Sequence, residues 1–229
     1  MPFKTYLATA ACALSATGVA SAAHIDFFNE GNVSPLFLNG GSSATETYTD
    51  ADPGTPAILG NSRKATLTYA PGPSNGLIVE SITETGDGQL SFSNGSNTQG
   101  TLILDYFLTV NTGVDLVGSG GALPYDSFEF DVASLDDPFD ITIEVTDTFG
   151  ATSTASTVVA TPGSTFFPYF LLSGADLTSV ETLSFSFTGT VVAADINIDG
   201  IFRATTVPEP TAALGVAGLL GLVGMRRRR

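Results

Sequence analysis

In the nine residues FDITIEVTD, Phe139 to Asp147, apolar and polar side chains alternate as far as Thr146: Phe139, Ile141, Ile143 and Val145 share one parity, Asp140, Thr142, Glu144 and Thr146 the other. A β-strand turns successive side chains to opposite faces, so the pattern reads as a strand with one face in a core and one in water. The same period recurs outward in both directions, in ATLTY (Ala65 to Tyr69), TLILDYFLTV (Thr101 to Val110), DSFEFDV (Asp126 to Val132), TLSFSFTG (Thr182 to Gly189) and ADINIDGIF (Ala194 to Phe202). Turn-forming clusters separate them: Pro71-Gly72-Pro73, Gly86-Asp87-Gly88, Asn94-Gly95, Gly118 to Gly121 and Asp147 to Gly150. Helical periodicity is hard to find in this region. The expectation is an all-β domain, an antiparallel jelly-roll-like β-sandwich of about eight or more strands.

The parity also sorts side chains. Phe128, Phe130, Phe185 and Phe187 fall on the apolar side and are expected in the core. TSTASTVVAT, Thr152 to Thr161, is rich in hydroxyls on both parities and reads as a polar edge strand. TPGSTFFPYFLLSG, Thr161 to Gly174, crowds rings around Pro168, which suggests an edge strand or bulge because proline cannot donate to a ladder. Tyr169 is the ring expected at the surface there. GGSSATETYTDADPGTPAILGN, Gly40 to Asn61, is polar and glycine-rich and reads as a long surface loop.

The two ends differ from the middle. Lys4, the apolar run Leu7 to Val19 and Ala20-Ser21-Ala22 have the order of a cleavable export signal, so the mature chain is expected to start at Ala23 or His24 after cleavage by signal peptidase. The single cysteine, Cys12, lies inside that signal. Thr9 stands where a lipoprotein signal wants a leucine-like residue, and no disulfide is available to the mature chain. At the other end, Thr211 to Met225 carries no charge and is followed by Arg226, Arg227, Arg228 and Arg229. As a helix, those fifteen residues reach roughly 22 Å at about 1.5 Å per residue, short of the roughly 30 Å of bilayer hydrocarbon. Thinning of the bilayer and arginine side chains reaching to the interface cover such a gap, and the arginines orient the C-terminus to the cytoplasm. Pro208 and Pro210 keep the chain around Glu209 extended, so a single short transmembrane helix begins after them. The organisation expected is a signal peptide over 1–22, a β-sandwich domain over 23–206 and a sorting segment over 207–229.

The C-terminal order of parts, Val207-Pro208-Glu209-Pro210, a short apolar helix and Arg226 to Arg229, behind an export signal, resembles that of bacterial PEP-CTERM proteins. The resemblance covers the last twenty-odd residues. It implies recognition by exosortase, a membrane-embedded cysteine protease, with cleavage near Pro208-Glu209-Pro210 during sorting to the surface of a Gram-negative, exopolysaccharide-producing cell. Transient anchoring in the inner membrane would then precede release to the cell surface or extracellular matrix. A tail that is never cut, leaving a permanently membrane-anchored surface protein, is the alternative.

Five of the eight Lys and Arg residues lie in the two terminal signals, which leaves Arg63, Lys64 and Arg203 against nearly all twenty-three acids, a mature charge of about −20. Such a field repels phosphate backbones and excludes nucleic acid as a partner. Catalytic constellations are sparse. The one histidine, His24, sits at the new N-terminus, where it is expected to be mobile and solvated; it has no second imidazole or thiolate with which to build a triad or a zinc site. Carboxylate pairs such as Asp136-Asp137 and Glu129 with Asp131 have the residue types for glycoside hydrolysis, but acids this frequent pair by chance and tryptophan is absent. A non-catalytic protein is expected, and an enzyme acting on polysaccharide is the less favoured alternative.

Asp195-Ile196-Asn197-Ile198-Asp199 places three polar side chains on one strand face and two isoleucines on the other. With Asp26 from the N-terminus, these oxygens are candidates for a structural calcium site. The stretch resembles the closing strand of jelly-roll carbohydrate-binding modules, in which such a pattern often borders calcium; a solvated outer face is the competing reading. The aromatic content, with sixteen phenylalanines, leaves open a surface for exopolysaccharide, although the sequence does not say which rings face water.

Overall fold

A computed structural model describes residues 23–28, 36–38, 43–49, 58–69, 77–82, 88–95, 99–108, 113–118 and 124–205. The signal peptide expected over 1–22, the Val207-Pro208-Glu209-Pro210 motif, the Thr211 to Met225 helix and Arg226 to Arg229 lie outside the described residues. Among the described residues no helix is long and apolar enough to cross a membrane.

Thirteen strands are described: β1 Ala23–Asp26, β2 Leu36–Leu38, β3 Ser43–Thr49, β4 Ser62–Tyr69, β5 Leu77–Ile82, β6 Gln89–Ser93, β7 Gly100–Phe107, β8 Ser127–Leu135, β9 Phe139–Asp147, β10 Thr152–Val159, β11 Gly163–Pro168, β12 Val180–Gly189 and β13 Asp195–Ala204. They form two antiparallel sheets. One has the order β11-β8-β13-β6-β5-β2, with β1 added beside β13; the other runs β10-β9-β12-β7-β4-β3. The hairpins β3/β4, β5/β6 and β9/β10 stay within a sheet, whereas β8/β9, β10/β11, β11/β12 and β12/β13 each cross to the opposite one.

Period-2 alternation explains why the sheets face each other. The burial of β9 follows its sequence parity, with Phe139, Ile141, Ile143 and Val145 fully buried. Across the gap, Phe128 and Phe130 of β8 meet Phe185 of β12 edge-on at centroid distances of 5.5 and 5.4 Å, and Phe92 of β6 meets Phe139 at 5.8 Å. All four phenylalanines assigned to the core from their parity, Phe128, Phe130, Phe185 and Phe187, are buried there. Truncating any one to alanine would cost about 3–5 kcal/mol by lost transfer energy and the cavity left behind.

Two sequence expectations need correction. The segment Gly40 to Asn61 is not wholly a loop: Ser43–Thr49 forms β3, paired from Ser43↔Thr68 to Thr49↔Ser62 at the edge of the six-stranded sheet. Its threonines suit a strand, but SATETYT carries no apolar parity to announce one. His24 is not at a loose terminus either. It pairs with Phe202 in β1 and stacks on Phe27 at 4.6 Å. The hydroxyl-rich β10 is the opposite edge of the six-stranded sheet, as its composition suggests.

Candidate functional site

The outer face of the seven-stranded sheet carries the polar parity of β8, β13, β6 and β11. Asp195, Asn197 and Asp199 stand in a row on it, above Ile196 and Ile198 in the core. Neighbouring strands already engage each of them. The Asn94 N–H donates to Asp195 Oδ1 at 3.0 Å, Ser91 Oγ donates to Asn197 Oδ1, Asn197 Nδ2 donates to Ser134 Oγ at 2.7 Å, and Gln89 Nε2 donates to Asp199 Oδ1 at 2.6 Å. Among the described residues no three His, Cys, Asp or Glu side chains gather as a metal site.

Asp26 does not join this row. Its backbone pairs with Ile201, but its carboxylate is buried between the sheets, where Arg63 Nη1 donates to Oδ2, Tyr106 Oη donates to Oδ2 at 2.8 Å and the Phe28 N–H donates to Oδ1 at 2.8 Å. The Arg63 guanidinium also lies over the Phe28 ring, 4.8 Å from its centroid. Burial, reinforced by the Asp26 charge, pushes the Tyr106 hydroxyl well above its ordinary pKa, so it remains a donor. This cluster anchors β1 to the six-stranded sheet.

A β-bulge decides what else reaches the outer face. The pairing of β13 with β8 shifts twice in succession, passing over Ala133 of β8 between Asn197 and Ile198 and over Asp199 of β13 between Ile198 and Gly200. Strict alternation from Asp195 would send Ile201 outward; after the bulge Ile201 is buried and Gly200 and Phe202 lie on the outer side. Gly200 is required there for space, because a Cβ would stand 2.7 Å from Cζ of Phe202, whose ring lies across it. Phe27, 37% exposed, meets Phe202 edge-on at 5.4 Å and stacks on His24.

The register extends this aromatic group into a row. Phe202 pairs with Glu129 of β8 on one side and with His24 of β1 on the other, and Glu129 pairs in turn with Phe166 of β11, which is 46% exposed. Four strands at about 4.8 Å spacing make the row about 14 Å across. One position along, Asp131 lies between Ser164 and Gly200. Rings are thus interleaved with carboxylates and flanked by the amides of Asn197 and Gln89.

Tyr169, expected at the surface, is 7% exposed. β11 ends at Pro168 and a 3-10 turn, Tyr169–Leu172, rotates the tyrosine inward against Phe128 at 4.8 Å, leaving Phe170 74% exposed in its place. Burial raises the Tyr169 pKa.

The outer face of the six-stranded sheet differs. Its hydroxyls bond mainly to one another and to nearby carboxylates, Thr101 with Thr188 at 2.8 Å and Ser184 Oγ donating to Asp105 at 2.8 Å, and Phe107 is an exposed ring on it. Lys64 lies 3.9 Å from Asp105 on that side.

No family model matches the chain, and no curated protein is similar to it. Solved structures similar to it include the family 30 carbohydrate-binding module of a cellulosomal cellulase of Clostridium thermocellum, with 14% identity over 81% of this chain and 99% of that chain and a TM-score of 0.41. The family 11 carbohydrate-binding module of Clostridium thermocellum, in complex with a β-1,3-1,4-mixed-linked tetrasaccharide, is 11% identical over 76% of this chain and 98% of that chain, with a TM-score of 0.32. An exo-β-agarase is 16% identical over 81% of this chain, with a TM-score of 0.40; the chain spans 25% of that enzyme's length. These likenesses assign no residue and no ligand to this chain.

Proposed function

We propose that this is an exported, non-catalytic surface or extracellular-matrix protein whose β-sandwich binds polysaccharide on the outer face of the seven-stranded sheet. The observation that carries the reading is the row Phe166, Glu129, Phe202, His24, with Phe27 against Phe202. Aromatic rings offer flat apolar area to the C–H faces of sugars, and adjacent amides and carboxylates take up hydroxyl hydrogen bonds. Ring and polar group alternate across neighbouring strands here, which suits an extended chain of sugars better than a single small molecule.

Glu129 and Asp131 are two residues apart on the same face of one strand and project in parallel. The C-terminal motif Val207-Pro208-Glu209-Pro210 with Arg226 to Arg229 supports sorting by exosortase after transient anchoring in the inner membrane. Retention of the protein recovered from the cell surface on a panel of immobilised polysaccharides tests binding. Loss of retention in Phe202→Ala, in a protein that still unfolds in one cooperative transition, is the expected result; equal retention of both proteins rejects this face. An intact mass ending near Pro210 tests the sorting.

A further inference from the structure

The candidate face has an unbalanced charge. Glu129 and Asp131 are half-buried, and among the described residues neither takes part in an ion pair or a side-chain hydrogen bond. The chain outside its terminal segments has three Lys and Arg residues, and each is committed elsewhere: Arg63 to the buried Asp26, Lys64 to the other sheet beside Asp105, and Arg203 to the Asp115 carbonyl oxygen at 2.9 Å and the Tyr125 ring at 4.9 Å; His24 and the α-amino group expected at the mature N-terminus stand in β1, on the far side of Phe202 from Glu129. Asp195 and Asp199 add further negative charge along the same face. The rings are placed to complement this field. Glu129 lies in register between Phe166 and Phe202, and Asp131 lies opposite Gly200, across which the Phe202 ring is seated.

A ring face beside an uncompensated carboxylate attracts an ammonium group twice over, through the ring quadrupole and through a charge-assisted hydrogen bond. A ligand bearing carboxylates or sulfates would meet like charge at four positions. We propose that the polysaccharide bound here is one with free amino groups, a wholly or partly N-deacetylated hexosamine polymer, whose sugar rings rest on Phe202, Phe27 and Phe166 and whose ammonium groups face Glu129 and Asp131. The proposal rests on the polysaccharide reading above and specifies its ligand.

The test compares retention of the mature protein on a deacetylated β-1,4-glucosamine polymer, its fully N-acetylated counterpart, a neutral glucan, a polyuronate and polylysine at moderate salt. The deacetylated polymer is expected to retain the protein at least tenfold more strongly than the acetylated one, and the polyuronate not at all. Glu129→Gln with Asp131→Asn should remove most of that preference. Phe202→Ala and Phe166→Ala should weaken retention on the glycan but not on polylysine; Phe166 is an exposed edge residue, so its loss leaves the fold intact. Equal binding to the neutral and deacetylated polymers overturns the amino-sugar assignment and leaves polysaccharide binding standing. Retention on the deacetylated polymer that neither the ring nor the carboxylate variants alter means diffuse attraction by an acidic protein, and also overturns it. Binding to no glycan at all rejects both readings.

Discussion

Asp26 and Arg63, thirty-seven residues apart in the chain, form an ion pair in which neither side chain has more than 1% of its surface in contact with solvent. The pair joins β1, the first described strand, to β4 in the opposite sheet. Removing two charges from water is costly, and the attraction repays it only when the remaining hydrogen-bonding positions are filled, as Tyr106 and the Phe28 N–H fill those of Asp26.

Breaking that pair from one side should therefore be severe. Asp26→Asn or Arg63→Met leaves a buried charge uncompensated and is expected to cost about 3–5 kcal/mol, measured by chemical denaturation. Tyr106→Phe removes one donor and should cost about 1–3 kcal/mol. Asp26→Leu combined with Arg63→Met should recover much of the loss; additive losses in the double variant would show that the two side chains act independently.

Gly200→Ala tests the seat of the Phe202 ring. The new Cβ would lie 2.7 Å from Cζ of Phe202 and 3.3 Å from the Asp26 carbonyl oxygen, so the ring must swing aside. A destabilisation of about 1–3 kcal/mol is expected from the overpacking. Glycan retention should fall as in Phe202→Ala, and full retention would show that the position of the ring is immaterial to binding.

Acid sensitivity should be traceable to Asp147. Its carboxylate accepts the N–H groups of Asp176 at 2.9 Å, Ala151 at 2.9 Å and Phe149 at 2.8 Å, tying the β9/β10 turn to the segment before β12. Those donors, that of Asp176 foremost, hold its pKa below the ordinary carboxylate value. A lowered folded-state pKa means that the unfolded chain binds the proton first, so the stabilisation is complete above about pH 4 and is lost as pH falls below it. The melting temperature of Asp147→Asn should be lower at neutral pH and fall less steeply on acidification. Parallel pH profiles for the two proteins would assign the acid response elsewhere.

The terminal segment yields a separable prediction. Pro208→Ala with Pro210→Ala lets helix extend through the motif, burying in a helix the backbone a protease must bind, so membrane insertion should persist while processing slows. Removal of Arg226 to Arg229 should instead impair retention before processing. Fractionation and size of an epitope-tagged protein in a cell bearing exosortase distinguish these. Wild type found uncut in the membrane favours the permanent anchor.

Much of the fold is legible because strand alternation is a local property. The burial pattern of β9 can be read directly from FDITIEVTD, and the same parity places Phe128, Phe130, Phe185 and Phe187 in the core. It even places Arg63 on the buried parity with Ala65 and Leu67, the one hint in the sequence of the ion pair, but parity does not name Asp26 as the partner. β3 leaves no such mark in the sequence, because an edge strand of threonines needs no apolar face. Tyr169 turns inward against the strand pattern because a 3-10 turn after Pro168 follows neither period.

What the sequence by itself determined is therefore the class of fold, the identity of most core residues and the anionic surface, since each depends on local periodicity or on composition. Tertiary structure alone decided which residues share the candidate face. Glu129, Phe166 and Phe202 are brought side by side by pairings between strands distant in sequence. Phe202 faces outward only because the paired irregularity at Ala133 and Asp199 leaves Ile198 and Ile201 both in the core, which puts Phe202 on the opposite face. Register is fixed by the balance of contacts along whole neighbouring strands, so a one-residue shift leaves little mark on the local sequence while exchanging the two faces of the strand.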